Sequence, residues 1–139
     1  MQQLRINIFL LMAILFPALL HAEEITWLKD IDNAFKLAEK KKKTVMVMVE
    51  GKNCRWCVKM KKRTLANDEI EHKLESYITV KVMREDANAI KDLPKIHGVP
   101  SIFFMTAQKE VIESVVGYFN VEDFLSYISD VEKKKEKGK

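Results

Sequence analysis

Five apolar residues in a row, Val45-Met46-Val47-Met48-Val49, constrain this chain more than any other feature. A short run rich in β-branched residues and preceded by Thr44 reads as a strand apolar on both faces, the pattern of a central strand covered by helices. Glu50-Gly51-Lys52-Asn53 follows, and then Cys54-Arg55-Trp56-Cys57, which holds the chain's only 2 cysteines. If a helix begins at Cys54, both sulfurs sit at its N-terminus, where unpaired backbone N–H groups and the helix dipole stabilise a thiolate. A thiolate attacks disulfides, and a second thiol three positions on can resolve the mixed disulfide. The pair is expected to be a redox site.

The first 22 residues are of a different kind. Arg5 supplies a positive charge, and Ile6 to Leu20 is apolar apart from Asn7, with Pro17 near its end. Leu20-His21-Ala22 then offers a small residue before the acidic pair Glu23-Glu24. That is the layout of a secretory signal peptide, expected over residues 1–22. The apolar stretch is short for a spanning helix, which needs roughly 20 residues. Leu20 is bulky for a cleavage signal, so an uncleaved membrane anchor is the alternative. The expected location is an exported, oxidising compartment, best fitted by a bacterial periplasm.

The chain carries 24 Lys and Arg against 20 Asp and Glu, and Arg5 is the only charge in the leader. A surface so mixed speaks against nucleic acid as a partner. Lys40 to Lys43 and Lys133-Lys134-Lys135 with Lys137 and Lys139 form two basic clusters, read as solvated helix ends favoured by the C-terminal dipole. Gly is scarce at 4 and Pro at 3, so no flexible linker divides the chain. Residues 23–132 are expected to form one domain, and 133–139 a basic, disordered tail.

Hydrophobic spacing predicts an amphipathic helix over 28–42, the strand Thr44–Val49, and a helix from Cys54 to about Leu65. A short helix capped by Asn67 or Asp68 and a strand from Tyr77 to Met83 follow. A small helix around Ala87 to Leu93 leads to Pro94. Ser101–Thr106 and Val111–Val116 make a hairpin, and a last helix opens at Asn120. This order predicts an α/β fold. Its four-stranded mixed sheet has a parallel β-α-β half beside an antiparallel hairpin, and helices cover both faces.

That order, with three local features, resembles the thioredoxin-like superfamily. Cys54-Arg55-Trp56-Cys57 stands between the first core strand and its helix; Val99-Pro100 opens the third strand, where the family carries a cis-proline facing the cysteines. Gly117 ends the hairpin, matching a glycine near the family's active site. The resemblance spans about Phe35 to Ile128, and is nearest in kind to periplasmic thiol reductases such as the C-terminal domain of the transmembrane reductant conductor and the thioredoxins of sulfur-oxidation systems. It implies that Cys54 attacks, that the more buried Cys57 resolves, and that Trp56, Val99 and Pro100 contact substrate. It also implies protein thiols and disulfides as substrates, a membrane-embedded dithiol as electron donor, a monomer, and no bound cofactor or metal. Three departures stand out. Asn53 replaces the family's tryptophan, Met48 replaces its buried acid, and Arg55-Trp56 matches neither the usual reductases nor the strong oxidases.

Arg55, Lys52 and the helix start favour a Cys54 thiolate, whereas Glu50 and Trp56 oppose it. Glu50, on the same side of the strand as Met48, is the nearest substitute for the missing acid, acting through a water. His97, in the loop before Pro100, is a third candidate for tuning the thiol. The other readings are a structural disulfide and a metal-binding (Cu or Zn) or redox-sensing protein without turnover. A bridge over so short a loop constrains the unfolded chain by only about 2 kcal/mol. A metal site would have to recruit His72, His97 or Met60, and no second Cys or His pair offers closed zinc spacing. The expected function is that of a periplasmic thiol–disulfide oxidoreductase, reducing or relaying disulfides rather than making them.

Overall fold

The computed structural model describes residues 25–138, so the expected signal segment lies outside the described residues. Strand β1, Thr44–Glu50, runs through the middle of a four-stranded sheet and has no solvent face as far as Val49. It pairs in parallel with β2, Tyr77–Met83, and antiparallel with β3, Ser101–Met105; β3 pairs antiparallel with β4, Val111–Val116. The sheet order is β2-β1-β3-β4. This is the mixed sheet expected from the sequence.

The period-two alternation of a strand divides β1 between two cores. Val45, Val47 and Val49 face one layer with Val80, Val82, Phe103 and Met105. Helix α1, Ile31–Lys41, covers that layer through Ala34, Phe35 and Ala38. Met46 and Met48 face the other layer with Met60, Ile70, Phe104, Phe124 and Ile128. Helices α2 (Arg55–Met60), α3 (Asp68–Leu74) and α5 (Val121–Lys137) supply that side; the single turn α4, Ala87–Ile90, follows β2. Each fully buried Val or Met contributes about 1.5–3 kcal/mol of transfer free energy. A polar residue anywhere from Val45 to Val49 would forfeit this on one layer.

Local signals set the helix ends. Asp30 accepts the Asn33 N–H at 3.0 Å and starts α1. Asn67 and Asn120 cap α3 and α5 in the same way, with Asn120 accepting from Asp123 N–H at 2.8 Å. Helix α1 begins later than the expected residue 28, because Leu28 belongs to the sheet: its N–H donates to the Thr79 carbonyl and its carbonyl accepts from Lys81 N–H, both at 2.9 Å. This bridge covers part of the outer edge of β2. The expected helix from Cys54 to Leu65 is regular only to Met60. Lys61–Leu65 form a π turn, closed by the buried Thr64, whose hydroxyl donates to the Phe119 carbonyl at 2.5 Å.

The expected disordered tail is instead helix as far as Lys137. The Lys- and Glu-rich sequence favours a helix, and contacts to the body anchor it. Val131 is buried, Lys134 pairs with Glu113, Lys73 lies 3.6 Å from Glu132, and Lys135 Nζ stands 5.0 Å from the centre of the Tyr77 ring. The hydrogen bond from Lys134 holds the Glu113 carboxyl below its usual range. No helix among the described residues is long and apolar enough to cross a membrane.

Two outcomes are expected. Thr64→Val leaves the Phe119 carbonyl without its donor and should cost about 1–3 kcal/mol in urea unfolding at pH 7. The second concerns Tyr77, which is buried, with a hydroxyl that has no hydrogen-bond partner among the described residues. Burial first, and the Glu132 charge second, push its pKa up to about 12. The folded protein therefore holds this proton more tightly than the unfolded chain, where tyrosine titrates near ~10. The resulting stability is fully present below about pH 10 and is lost as pH rises through about 12. Tyr77→Phe should be neutral to about 1 kcal/mol more stable at pH 8, and should lose less stability than the parent between about pH 10 and 12; urea unfolding at both ends of that range checks this.

Candidate active site

Strand β1 ends at Glu50 and delivers the chain into a tight loop. Space is tight at Gly51: a Cβ would stand 3.0 Å from Val99 Cγ2 and 3.3 Å from Arg84 Nε, so those side chains would have to give way by a few tenths of an ångström. Asn53 then takes a left-handed conformation, φ 55°, which asparagine tolerates better than most residues. This turn sets Cys54 as the N-cap of α2, with its Sγ accepting the Cys57 N–H at 3.1 Å. Cys54 and Cys57 are joined by a disulfide, S–S 2.09 Å, with Cα atoms 5.2 Å apart. Cys54 is partly exposed, whereas Cys57 is 2 % exposed and packs in the core with Met60. A sulfur at a helix start that already receives a backbone N–H is placed to be stabilised as a thiolate once the bond is reduced.

The disulfide borders a cleft of about 590 Å³ lined by Glu50, Lys52, Arg55, Lys61 and Met83 among others. Glu50 faces this cleft, as strand alternation requires, and its carboxylate is engaged by Lys61 Nζ at 2.5 Å. A second carboxylate, Glu85, ties down the loop. It accepts the Lys52 N–H at 3.1 Å and approaches Arg84 Nε at 3.5 Å, and the Lys52 bond does most to hold its pKa below the usual range. The Val99–Pro100 peptide bond is cis. Val99 packs on the Gly51 loop, and Pro100 is buried, its carbonyl accepting the Gly117 N–H at 2.8 Å. Gly117 has φ +102°, a conformation that other residues rarely adopt.

Trp56 is 51 % exposed and lies beside Tyr118, with ring centroids 5.8 Å apart. Lys59 Nζ sits 4.9 Å from the Trp56 ring centre and 4.2 Å from that of Tyr118. The structure thus brings Cys54, Trp56, Cys57, Arg55 and Glu50 together and seats Val99 against the Gly51 loop, with the buried Pro100 next to it in the chain. His97 is exposed and does not line the cleft. His72 is also exposed and stands 3.5 Å from Glu75, while Met60 is fully buried in the core. Among the described residues, no group of three or more His, Cys, Asp or Glu side chains converges to hold a metal. Tyr118, Lys59 and Glu85 were not singled out from the sequence. The place of Tyr118 directly after Gly117 was the available signal for it. A slightly larger cleft, about 640 Å³, lies at the other end of the sheet between Lys42, Gln108 and Lys134, and contains no cysteine.

Known structures share this architecture. A thioredoxin from Thermus thermophilus superposes with a TM-score of 0.67 at 18% identity, covering 77% of this chain and 87% of its own. DsbH oxidoreductase gives 0.64 at 16% identity, covering 79% and 85%. The oxidised C-terminal domain of Neisseria meningitidis DsbD gives 0.61 at 18%, covering 75% and 97%. At such identities these likenesses establish the fold. No curated protein matches the chain. Residues 31–132, which run from the start of α1 into α5 and include the disulfide, the cis-proline and Gly117, match the thioredoxin-like domain, and the chain belongs to that family.

Proposed function

We infer that this thiol–disulfide oxidoreductase reduces or relays protein disulfides in an exported compartment, a bacterial periplasm, receiving electrons from a membrane-embedded dithiol. The observation that carries the reading is the asymmetry of the pair: Cys54 is reachable and capped by a backbone N–H, while Cys57 is buried one turn along. In the reduced protein the Cys54 thiolate attacks one sulfur of a substrate disulfide, and the other sulfur leaves as a thiolate that takes up a proton. Cys57 then loses its proton and attacks Cys54 Sγ. The internal disulfide re-forms and the substrate departs with two electrons and two thiols. Two sulfurs suffice for this exchange, with no bound cofactor.

In this reading Val99 offers its backbone to the substrate beside Pro100 as a short extra strand, and Trp56 meets the residues flanking the substrate sulfur. Glu50, which pairs with Lys61, takes the Cys57 proton through a water in this reading. The export signal legible in residues 1–22 supports the compartment, and the resemblance of Cys54-Arg55-Trp56-Cys57 with Val99-Pro100 to periplasmic thiol reductases supports the reducing direction. In this reading the protein acts as a monomer.

Cys54→Ser should lower dithiol-dependent disulfide reduction to the uncatalysed background. Cys57→Ser should instead accumulate a mixed disulfide through Cys54, visible by mass spectrometry. Retained turnover in the first variant, or no trapped species in the second, would sink the assignment. The direction is read from the reduction potential in glutathione buffers, followed by Trp56 fluorescence. A value of about −200 to −270 mV fits a reductase or relay, and one near −120 mV makes the protein an oxidant.

A further inference from the structure

Charge is unevenly spread over this molecule. Residues 51–67 contain six of its 24 lysines and arginines, Lys52, Arg55, Lys59, Lys61, Lys62 and Arg63, and none of its 20 acids. The remainder of the chain is slightly acidic. Lys52, Arg55, Lys62 and Arg63 are exposed, and Lys52, Arg55 and Lys61 line the cleft beside the disulfide. Among the described residues, two carboxylates contact this stretch, Glu50 at Lys61 Nζ (2.5 Å) and Glu85 at the Lys52 N–H (3.1 Å). Lys59 stands over the Trp56 and Tyr118 rings, at 4.9 and 4.2 Å, so a fixed cation adjoins the exposed indole. Val116 and Val58, 49 % and 46 % exposed, add apolar surface.

We propose that the face around the disulfide docks an acidic polypeptide segment flanking the substrate's own disulfide. Lys52, Arg55 and Lys59 meet its carboxylates, and the Trp56–Tyr118 pair meets an apolar side chain next to them. This deepens the thiol-exchange reading and rests on it. Lys52, Arg55 and Lys61 line the cleft beside the group that has to touch another sulfur, so the surface they attract must itself bring a disulfide, which favours a polypeptide over a lipid headgroup. With Glu50 paired to Lys61, the cations of the cleft left over are Lys52 and Arg55, and an excess of one sign of charge raises encounter rates by about 10- to 1000-fold at low salt. Screening shortens to about 3 Å at 1 M salt and removes that advantage.

The test compares two synthetic peptides that share one disulfide ring, one flanked by glutamates and the other by lysines, with the protein recycled by a small dithiol. At low ionic strength kcat/KM for the glutamate peptide should exceed that for the lysine peptide by about tenfold or more, and the ratio should fall toward one in 1 M salt. In the double variant Lys52→Gln, Lys59→Gln the ratio should drop at least about threefold. A change in thiol reactivity alone scales both peptides equally and leaves the ratio in place. Equal rates for the two peptides, or an unmoved ratio in the double variant, overturn the acidic partner while leaving thiol exchange intact. Reduction of neither peptide overturns the exchange reading itself, and the proposal with it. A ratio near one, together with sedimentation on phosphatidylglycerol vesicles that the double variant loses, assigns the face to an anionic lipid surface and also overturns the proposal.

Discussion

Because β1 has no solvent face from Val45 to Val49, every side chain over that run must find an apolar partner above or below the sheet. Its valines take the α1 side and its methionines the side of α2 and α5. Parallel pairing with β2 and antiparallel pairing with β3 leave no unsatisfied edge along it. A one-residue slip would exchange the two layers' side chains and strip both cores of their fit. The end of the strand is fixed with the same stringency, and that end is where the chain turns into the cysteines. Precision at the redox site is inherited from burial some distance away.

The loop between β1 and α2 converts that fixed point into chemistry by steric and electrostatic means. Gly51 lets the Val99 side chain approach, Asn53 accepts the left-handed turn, and Glu85 holds the Lys52 N–H. The result is one sulfur at a helix cap, with its partner in the core. No group in this arrangement reaches the disulfide by chance of a flexible loop, since each anchor lies on or beside a strand end.

Much of this was legible in residues 44–57, since a two-sided apolar run and a three-residue cysteine spacing are local signals. The hairpin and its closing glycine were legible for the same reason. What escaped the sequence depended on contacts between distant segments. The π turn is held by Thr64 reaching Phe119, and the helical continuation to Lys137 by Glu113 and Tyr77. Periodicity carries no record of either. Leu28 looked like the first residue of a helical stripe, yet its backbone was claimed by Thr79 and Lys81. Of the residues around the cysteines, Trp56 and Glu50 stood out by position, but Tyr118 and Lys59 acquired meaning only when the hairpin end was folded against α2. His97, which lies close to Pro100 in sequence, points its interest elsewhere, exposed and outside the cleft.

The bridge from Leu28 to Val80 has a further consequence, for anyone wishing to attach this protein to something. Leu28 runs parallel to β2, and Ile25 lies beside Leu74 and Tyr77, where that strand begins. Strands β1 and β2 both end at the disulfide side, about 20 Å away at ~3.3 Å per residue. The described chain therefore enters the domain at the pole opposite its cysteines. A bead, a fluorophore or a fusion partner joined at Ile25 starts its reach from the back of the molecule, with the sulfurs turned outward.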